Sequence, residues 1–451
     1  PVPPQFGLVF DAGSTHTALY VYRWPADKEN GTGIVSQVEA CTVAGPGISS
    51  YADNPAGAGA SLKPCLDKAL ELIPAEQQRD TPIYLGATAG MRLLREQNST
   101  EAQQIFAEIA KTIGEYPLAF RGAQILTGNE EGSFGWITVN YLLQTLVKFS
   151  FAEKWEHPQD TEVLGALDLG GASTQITFQP GAAVEDQNSS VSLRLYGSDY
   201  GLYTHSYLCY GRLQALRMLL AALLQGGAAG REISHPCYPR GYRQNVSAAE
   251  LHGSPCVPGT AAAAQDVPLT GTGEPAACRA AVRRLFDFSC GSDGACGFNG
   301  VRQPPVRGRF LAFAGFYYTF QFLNLTSQQS LNDVNSTIEN FCNKTWTEVR
   351  ALQRAARSPE LGYLHTYCAV ATYILTLLVD GYKFNEDTWG NIHFSQKAAN
   401  TDIGWTLGFM LNLTNMIPAE GVQHVKGHEP GLWAGAVSFI VLAMVLGMVL
   451  I

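Results

Sequence analysis

The first apolar run in the chain is interrupted by a short polar turn. Residues 6–10 read FGLVF and residues 18–22 read ALYVY, and the segment DAGSTHT lies between them. Short apolar runs on either side of a tight polar turn are typical of two strands joined as a hairpin. The turn brings together a carboxylate, a glycine and several hydroxyl side chains, which a simple connection between strands does not need.

The same pattern returns further along the chain. The segment DLGGAST, residues 168–174, lies between apolar runs at 163–169 and 174–178, with Asp168 in the place of Asp11. We therefore expect a second hairpin-like unit. Two similar units predict two related lobes that face one another.

The remaining periodicity predicts further helices and strands. Residues 83–85 read as a strand, and we interpret the aromatic segment 309–323 as strand-like. Residues 226–305 are rich in Gly, Pro and Ala, and six of the ten cysteines lie between 209 and 296. This composition and the clustering of cysteines predict a loop-rich insertion held by disulfides. The segments with helical spacing are 61–73, 102–113, 135–149, 213–224, 338–352 and 366–378.

The final twenty residues, 432–451, contain no charged side chain. As a helix they would extend over about 30 Å, the thickness of the hydrocarbon core of a bilayer. We favour a transmembrane helix, while a buried core helix and a GPI-anchor signal stay open as alternatives. An anchor makes the lipid bilayer a partner and leaves open an association of copies through these segments.

Composition and charge narrow the range of functions. The chain has 451 residues, 46% of them hydrophobic, and a formal net charge of −9. Because it contains no basic block, a nucleic-acid partner is not expected. An acidic protein that handles phosphate groups needs metal ions or backbone N–H groups to offset the charge repulsion.

Cysteines and glycosylation sequons indicate an oxidising compartment. The number of cysteines is even and no Cys-x-x-Cys pair occurs, so zinc ribbons and thioredoxin-type sites have no support. Eight Asn-x-Ser/Thr sequons accompany the cysteines. We expect a cell-membrane protein whose main part is extracellular. The sequons begin at Asn30, Asn98, Asn188, Asn245, Asn324, Asn335, Asn343 and Asn412.

The two acidic turns have the chemistry of a phosphate clamp. Glycine and small hydroxyl residues let backbone N–H groups and Oγ atoms approach a phosphate closely. An aspartate at the start of such a turn cannot bind phosphate itself, but it can hold a divalent cation that does. Asp-x-Gly is also an ordinary turn, and only the second copy makes the clamp the better interpretation. The chain lacks the Walker-type P-loop motif.

Two further segments carry candidate chemistry. The segment LTGNEEGS, residues 126–133, places Glu130 and Glu131 after a glycine, and one of them is a candidate base that activates water. The alternative is an acidic helix start that the helix dipole favours. The segment GATAGMR, residues 86–92, offers Thr88 as a hydroxyl donor, together with Arg92. The alternative there is a helix start with Arg92 in an ion pair.

Five segments, in this order, resemble the apyrase-conserved regions of the ectonucleoside triphosphate diphosphohydrolases. They are DAGSTHT, GATAGMR, GNEEGSFGWITVNYL, DLGGASTQ and DIGWTLGFMLNLTN. The resemblance extends over residues 6–418, and within the cell-surface branch the segments 195–212 and 361–378 are most similar to type eight.

The resemblance implies an α/β fold like that of actin, Hsp70 and sugar kinases, with two RNase H-like lobes and a C-terminal transmembrane helix. Lobe I would comprise residues 5–127 and 396–428, and lobe II residues 128–395 with the insertion at 226–305. The implied reaction is hydrolysis of extracellular ATP, ADP, UTP and UDP to monophosphates, with Ca²⁺ or Mg²⁺ and direct attack of water.

The resemblance also implies roles for individual residues. Asp11 and Asp168 would organise the metal, largely through water, and the residues around that water shell would be Thr88, Glu131 and Trp405. Glu131 would be the general base, and Ser173 and Gln175 would position the attacking water. The residues that would bind phosphate are Ser14, Thr15, His16, Gly170, Gly171, Ala172 and Ser173.

For the nucleobase, the resemblance implies stacking on Tyr318, although a core position is an equal alternative for an aromatic residue in such a segment. Some relatives place an arginine across the base, where this chain has Tyr363, so we expect loose base selectivity. The implied disulfides are Cys41–Cys65, Cys209–Cys256, Cys237–Cys278, Cys290–Cys296 and Cys342–Cys368.

Two other functions stay open at this point. A phosphotransferase of the same superfold would use similar loops but would pass the phosphoryl group to an organic acceptor. A receptor ectodomain would bind nucleotide without cleaving it.

Overall fold

The computed structural model of the chain gives a mixed α/β fold. The transmembrane helix predicted over 432–451 lies outside the described residues except for 438–439, and Asn30 and Cys290 also lie outside them. The residues that the structure describes are 4–25, 33–149, 155–156, 158, 161–184, 186–226, 232–247, 251, 253–257, 266–289, 296–356, 363–416 and 438–439.

The first acidic turn lies in a five-stranded sheet. Its strands are β1 (Gln5–Ala12), β2 (Thr17–Trp24), β3 (Ser36–Thr42), β4 (Pro82–Ala87) and β5 (Ala119–Ile125), in the order β3-β2-β1-β4-β5. β1 and β2 pair antiparallel, as the hairpin pattern predicts, and β4 pairs parallel with β1. The helices that follow β3 and β4 are α1 (Pro55–Leu72), α2 (Ala75–Gln78), α3 (Ala89–Gln97) and α4 (Ser99–Gly114).

The second acidic turn lies in a six-stranded sheet with the same arrangement. Its order is β10-β11-β9-β8-β15-β16, so β11-β9-β8-β15-β16 repeats the order of the first sheet and β10 is an added edge strand. The hairpin β8–β9 is antiparallel and β15 is parallel to β8. The repeated sequence pattern therefore corresponds to a repeated topology.

The strands and helices from α5 to β16 are α5 (Gly128–Leu142), β6 (Lys148–Phe149), β7 (Trp155–Glu156), β8 (Gly165–Leu169), β9 (Ser173–Phe178), β10 (Ser190–Leu195), β11 (Ser198–Leu208), α6 (Arg212–Gly226), β12 (Ile233–His235), β13 (Arg243–Ser247), β14 (Asp266–Gly271), α7 (Pro275–Arg283), β15 (Phe310–Ala314), α8 (Gly315–Phe322), α9 (Leu331–Cys342), α10 (Trp346–Ala356), α11 (Tyr367–Thr376), α12 (Glu386–Trp389) and β16 (Ile392–Phe394).

Two helices hold the sheets together. After the short strands β17 (Lys397–Ala398) and β18 (Thr401–Asp402), α13 (Trp405–Met416) packs against α5. A Cβ on Gly408 of α13 would lie 1.9 Å from the carbonyl oxygen of Phe134 on α5, so only glycine permits this approach. One buried cluster combines residues of both sheets with both helices, and it includes Val9, Trp136, Phe313 and Met410.

Some elements differ from the prediction. The helix expected over 135–149 spans Gly128–Leu142, and its true start is marked by a capping box between Thr127 and Glu130. The helix expected over 338–352 is two helices, α9 and α10. The segment 309–323 was wrongly interpreted as a strand throughout, because Tyr318 lies on α8. A short apolar run does not distinguish strand from helix by itself.

The cysteine-rich region contains more regular structure than its composition indicates. Within it lie the three-stranded sheet β12-β14-β13 and helix α7. Four disulfides join the pairs that the resemblance implies, while the fifth involves Cys290 and falls outside the described residues. These four are Cys41–Cys65, Cys209–Cys256, Cys237–Cys278 and Cys342–Cys368.

The surface positions of the sequons suit glycosylation. Asn98, Asn188, Asn245, Asn324 and Asn343 are exposed, while Asn335 and Asn412 are half-buried. Within the described residues, one helical stretch is long and apolar enough to span a membrane, Leu364–Gly381. It is 83% buried inside the protein, which is typical of a core helix.

Candidate active site

The two acidic turns meet in a cleft between the sheets. A Cβ on Gly171 of the second turn would lie 2.5 Å from Ser14 Oγ and 2.6 Å from Thr15 Cγ2 of the first, so the turns are in direct contact. The cleft has a volume of about 460 Å³. It therefore lies where the resemblance places the active site.

Most of the predicted site residues line this cleft. Gln175 does not line it, because it is buried behind Ser173. The predicted residues on the cleft wall are Asp11, Ser14, Thr15, His16, Thr88, Glu131, Asp168, Gly170, Gly171, Ala172, Ser173, Tyr318 and Trp405.

The second turn is held from behind by a helix. The Gly170 N–H donates to the Ser173 carbonyl oxygen at 2.9 Å, which closes the turn. The N–H groups of Arg212 and Leu213, at the start of α6, donate to the carbonyl oxygens of Gly170 and Gly171 at 2.8 and 2.9 Å. These bonds occupy carbonyl oxygens that would otherwise repel a phosphate.

Asp11 and Asp168 occupy equivalent places near the ends of β1 and β8. Burial raises the pKa of Asp11 to about 7, the nearby Trp405 indole lowers it, and the charge of Glu131 raises it further. Burial raises the pKa of Asp168 well above its ordinary value, and the charges of Glu131 and Asp11 add to this effect. Both carboxylates thus lack the positive charge that would stabilise their ionised forms.

The geometry around Asp11 fits a divalent cation. Among the described residues, Asp11 Oδ1 is buried without a hydrogen-bond partner, and so is the nearby Trp405 Nε1. Within the described residues, no group of three or more His, Cys, Asp or Glu side chains is arranged to hold a metal. Two carboxylates suit a cation such as Mg²⁺ that keeps several waters and binds substrate phosphates.

The two adjacent glutamates have different roles. Glu130 is exposed and caps α5, because its carboxylate accepts from the Thr127 N–H at 2.8 Å and the Thr127 Oγ1 at 2.9 Å. Glu131 is 6% exposed and lines the cleft. Glu130 therefore stabilises the helix start, and Glu131 is the candidate base.

Glu131 is the centre of a buried polar network. Its Oε2 accepts from Arg92 Nη2 at 2.8 Å and from Gln175 Nε2 at 3.2 Å. Ser173 Oγ accepts from the same two nitrogens, at 3.0 Å from Arg92 and 2.8 Å from Gln175. Ser173 and Gln175 are two residues apart on β9, so their side chains lie on the same side of the sheet. Glu131 and Ser173 therefore meet at one point of the cleft wall, and Gln175 holds both of them from behind.

Further polar residues line the cleft without having been predicted, among them Arg212, Gln396 and Asp402. Gln396 Nε2 donates to the Tyr318 hydroxyl oxygen at 2.8 Å, and Tyr318 is 37% exposed. Tyr363 is 54% exposed and is not among the described residues that line the cleft. The sequence offers no signal for Arg212 or Gln396, because neither lies within the acidic turns.

Comparison with known proteins shows the family of this chain. A family model described as GDA1/CD39 (nucleoside phosphatase) matches residues 3–427. The chain belongs to the GDA1/CD39 family. Hydrolysis of phosphate bonds in nucleotides is the activity that this membership supports.

Individual relatives of this GDA1/CD39 protein are similar over nearly their whole length. Ectonucleoside triphosphate diphosphohydrolase 8 of Gallus gallus is 71% identical over 100% of this chain and 91% of the relative. The Homo sapiens protein of that name is 52% identical over 99% of this chain and 90% of the relative. The predicted enzyme family and the likeness to type eight are confirmed.

A solved structure shows the same fold at much lower identity. The crystal structure of nucleoside triphosphate hydrolases from Neospora caninum matches with a TM-score of 0.64 at 15% identity. The match covers 91% of this GDA1/CD39 chain and 92% of the other.

The raised pKa of Asp11 predicts how stability depends on pH. Folded metal-free protein keeps this proton up to about pH 7, whereas the unfolded chain loses it near 3.8. The folded state binds more protons in that interval, so its stability falls as pH rises. In EDTA, we expect the melting temperature to fall between about pH 5 and pH 8 by more in the wild type than in Asp11→Asn. Saturating Mg²⁺ should remove the difference, and parallel curves in EDTA would contradict the assignment.

The buried ion pair predicts a large stability effect. Arg92→Gln leaves Glu131 buried without its partner, and we expect the free energy of unfolding in urea to fall by about 3 kcal/mol. The double variant Arg92→Gln/Glu131→Gln should recover part of this loss. Arg194→Gln is the matched control, because the Arg194–Asp199 pair is similarly short, at 2.9 Å against 2.8 Å, but exposed, and its loss should cost less than about 1 kcal/mol. Equal costs for the two pairs would contradict the prediction.

Proposed function

We propose that the chain hydrolyses the terminal phosphate of nucleoside tri- and diphosphates, among them ATP, ADP, UTP and UDP, to yield monophosphates and inorganic phosphate. The observation that carries the proposal is that Glu131 and Ser173, both held by Gln175, lie together beside two opposed phosphate loops. A cleft that positions both a water and a terminal phosphate suits direct attack by water.

Glu131 is the base in this proposal. Its Oε2 is held by Arg92 and Gln175, so the carboxylate is fixed and Oε1 remains without a hydrogen bond to the described residues. Oε1 accepts the proton of the attacking water. Ser173 Oγ orients that water, while Gln175 Nε2 holds Ser173 and Glu131 in place from behind, and the bridging P–O bond on the far side of the phosphorus breaks.

The loops hold the terminal phosphate. Ser14 and Thr15 contribute hydroxyl groups from the first turn, and Gly170 and Gly171 allow a close backbone approach in the second. Asp11 and Asp168 would hold Ca²⁺ or Mg²⁺ through water. When bound, the cation neutralises phosphate oxygens and so offsets the negative charge of this cleft.

The nucleobase would lie against Tyr318, which is partly exposed on the cleft wall and is oriented by Gln396. Tyr363 offers no arginine to enclose the base, which supports loose base selectivity. The disulfides, the exposed sequons and the names of the relatives support an extracellular enzyme at the cell membrane.

The glutamate pair provides a sharp test of the base. We expect Glu131→Gln to retain the fold and nucleotide binding but to lose hydrolysis by about 10² to 10⁴-fold. Glu130→Gln is the matched control, because it makes the same change one residue away on the exposed helix cap, and its turnover should stay near that of the wild type. Steady-state phosphate release measures both. Turnover retained in Glu131→Gln would refute the assignment.

A second assay separates hydrolysis from the other functions. Purified protein incubated with ATP or ADP and Mg²⁺ or Ca²⁺ should release free phosphate without any organic acceptor, and EDTA should abolish the release. Dependence on an acceptor would indicate a phosphotransferase. Binding without cleavage in the wild type would indicate a receptor. A time course of ATP, ADP and AMP would also show whether ADP is released as an intermediate.

A further inference from the structure

A second, smaller cavity lies directly behind the phosphate loops. It has a volume of about 190 Å³, and it shares Ser14, Gly171 and Ala172 with the cleft. The other residues that line it are Ser49, Ser50, Gly90, Leu93, Leu94, Gln97, Leu213, Gln214, Arg217, Gly253, Ser254 and Pro255. We call this the rear cavity.

The wall between the rear cavity and the cleft is one layer of residues thick. Ser14 and Gly171 line both spaces, and the missing side chain of Gly171 lets Ser14 Oγ lie against its backbone. A Cβ on Gly90 would lie 2.9 Å from Ser14 Cα, so α3 also packs closely on the first turn. A small separation of the two turns would connect the spaces at the position of the terminal phosphate.

The two sides of this wall differ in charge. Four carboxylates line the cleft, those of Asp11, Glu131, Asp168 and Asp402, with Arg212 beside them, whereas no carboxylate is among the described residues that line the rear cavity. Its one charged residue within that described lining is Arg217, which is exposed on α6 and makes no ion pair with described residues. In a chain of net charge −9, this cavity suits a small anion.

The outer rim of the rear cavity is ordered by hydrogen bonds. Gln97 Nε2 on α3 donates to the Gly253 carbonyl oxygen at 2.9 Å, and Ser254 Oγ donates to Gln214 Oε1 at 2.7 Å. The disulfide Cys209–Cys256 fixes the segment that carries both acceptor and donor. The rim thus offers amide N–H groups of Gln97 and Gln214 beside Arg217, which is a favourable lining for phosphate.

The proposed reaction produces an anion at this wall. Water oxygen bonds to the terminal phosphorus, the bridging P–O bond breaks, and a shortened nucleotide remains between the new phosphate and the mouth of the cleft. We propose that inorganic phosphate leaves backwards, between Ser14 and Gly171, and binds in the rear cavity at Arg217. This inference rests on the proposed function and adds a product site to it.

The binding site is tested with radiolabelled inorganic phosphate in equilibrium dialysis. The cleft is filled with a saturating non-hydrolysable nucleoside triphosphate analogue and Mg²⁺, so that only the rear cavity is open to phosphate. We expect the wild type to retain phosphate and Arg217→Gln to bind it at least about tenfold more weakly. Arg95→Gln is the matched control, because it removes the same charge from the exposed side of α3 outside either cavity and should bind phosphate like the wild type. Complete displacement of phosphate by the analogue, or wild-type affinity in Arg217→Gln, would overturn the site.

The exit route is tested by blocking the rim. Ser50 is exposed in the short turn Ile48–Tyr51, and Ser50→Trp would fill the rear cavity from outside. Quenched-flow measurement gives total cleaved phosphate, and a fluorescent phosphate sensor gives free phosphate. We expect cleavage at the wild-type rate with free phosphate delayed several-fold behind it. Coincident curves in Ser50→Trp would show that phosphate leaves by the mouth of the cleft.

Failure of this inference is distinguishable from failure of the proposed function. If the wild type cleaves nucleotides but phosphate binding is independent of Arg217, only the rear site is wrong. If the wild type does not cleave nucleotides, both are wrong.

Discussion

Asp11, Glu131 and Asp168 lie together in one poorly solvated cleft, which Asp402 also lines, and the electrostatic cost of that arrangement governs the rest of the site. Burial and mutual repulsion raise the pKa of Asp11 to about 7 and that of Asp168 well above its ordinary value. Glu131 has Arg92 as a buried counter-ion at 2.8 Å, whereas Asp11 Oδ1 has no hydrogen-bond partner in the described part of the chain. The carboxylates of the cleft therefore need a bound cation or protons to neutralise their charge. Because of this need, metal binding, phosphate binding and stability are linked.

The duplicated sheet is what brings the carboxylates together. β1 and β8 occupy the same place in two sheets of the same order, so Asp11 and Asp168 arrive at the cleft from opposite sides. Helices α5 and α13 join the two sheets, and the absence of a side chain at Gly408 permits their close approach. A site made by two rigid units keeps its geometry without a long loop to hold it.

Side chains that are neighbours in the chain have separate functions here. Glu130 stabilises the start of α5 as a cap, and the same helix start carries Glu131 into the cleft. The cap thus positions the base. On the opposite wall, Gly171 permits both the close contact of the two turns and the thin wall between the cleft and the rear cavity. The acidic front and the carboxylate-free rear of this wall differ in charge, which favours movement of an anionic product in one direction.

Local chemistry could be recognised from the order of residues alone. The two hairpins, their aspartates and hydroxyl groups, and most helices follow from apolar periodicity and turn composition, which involve only near neighbours in the chain. Three features could not be recognised in this way: the bounds of α5, the helix at Tyr318, and the division of roles between Glu130 and Glu131. They depend on caps and on burial. The Arg92–Glu131 pair, the positions of Arg212 and Gln396, and the rear cavity join residues that are distant in the chain. Only the packing of one sheet against the other decides such contacts, because periodicity records which face of an element is buried and not what it is buried against.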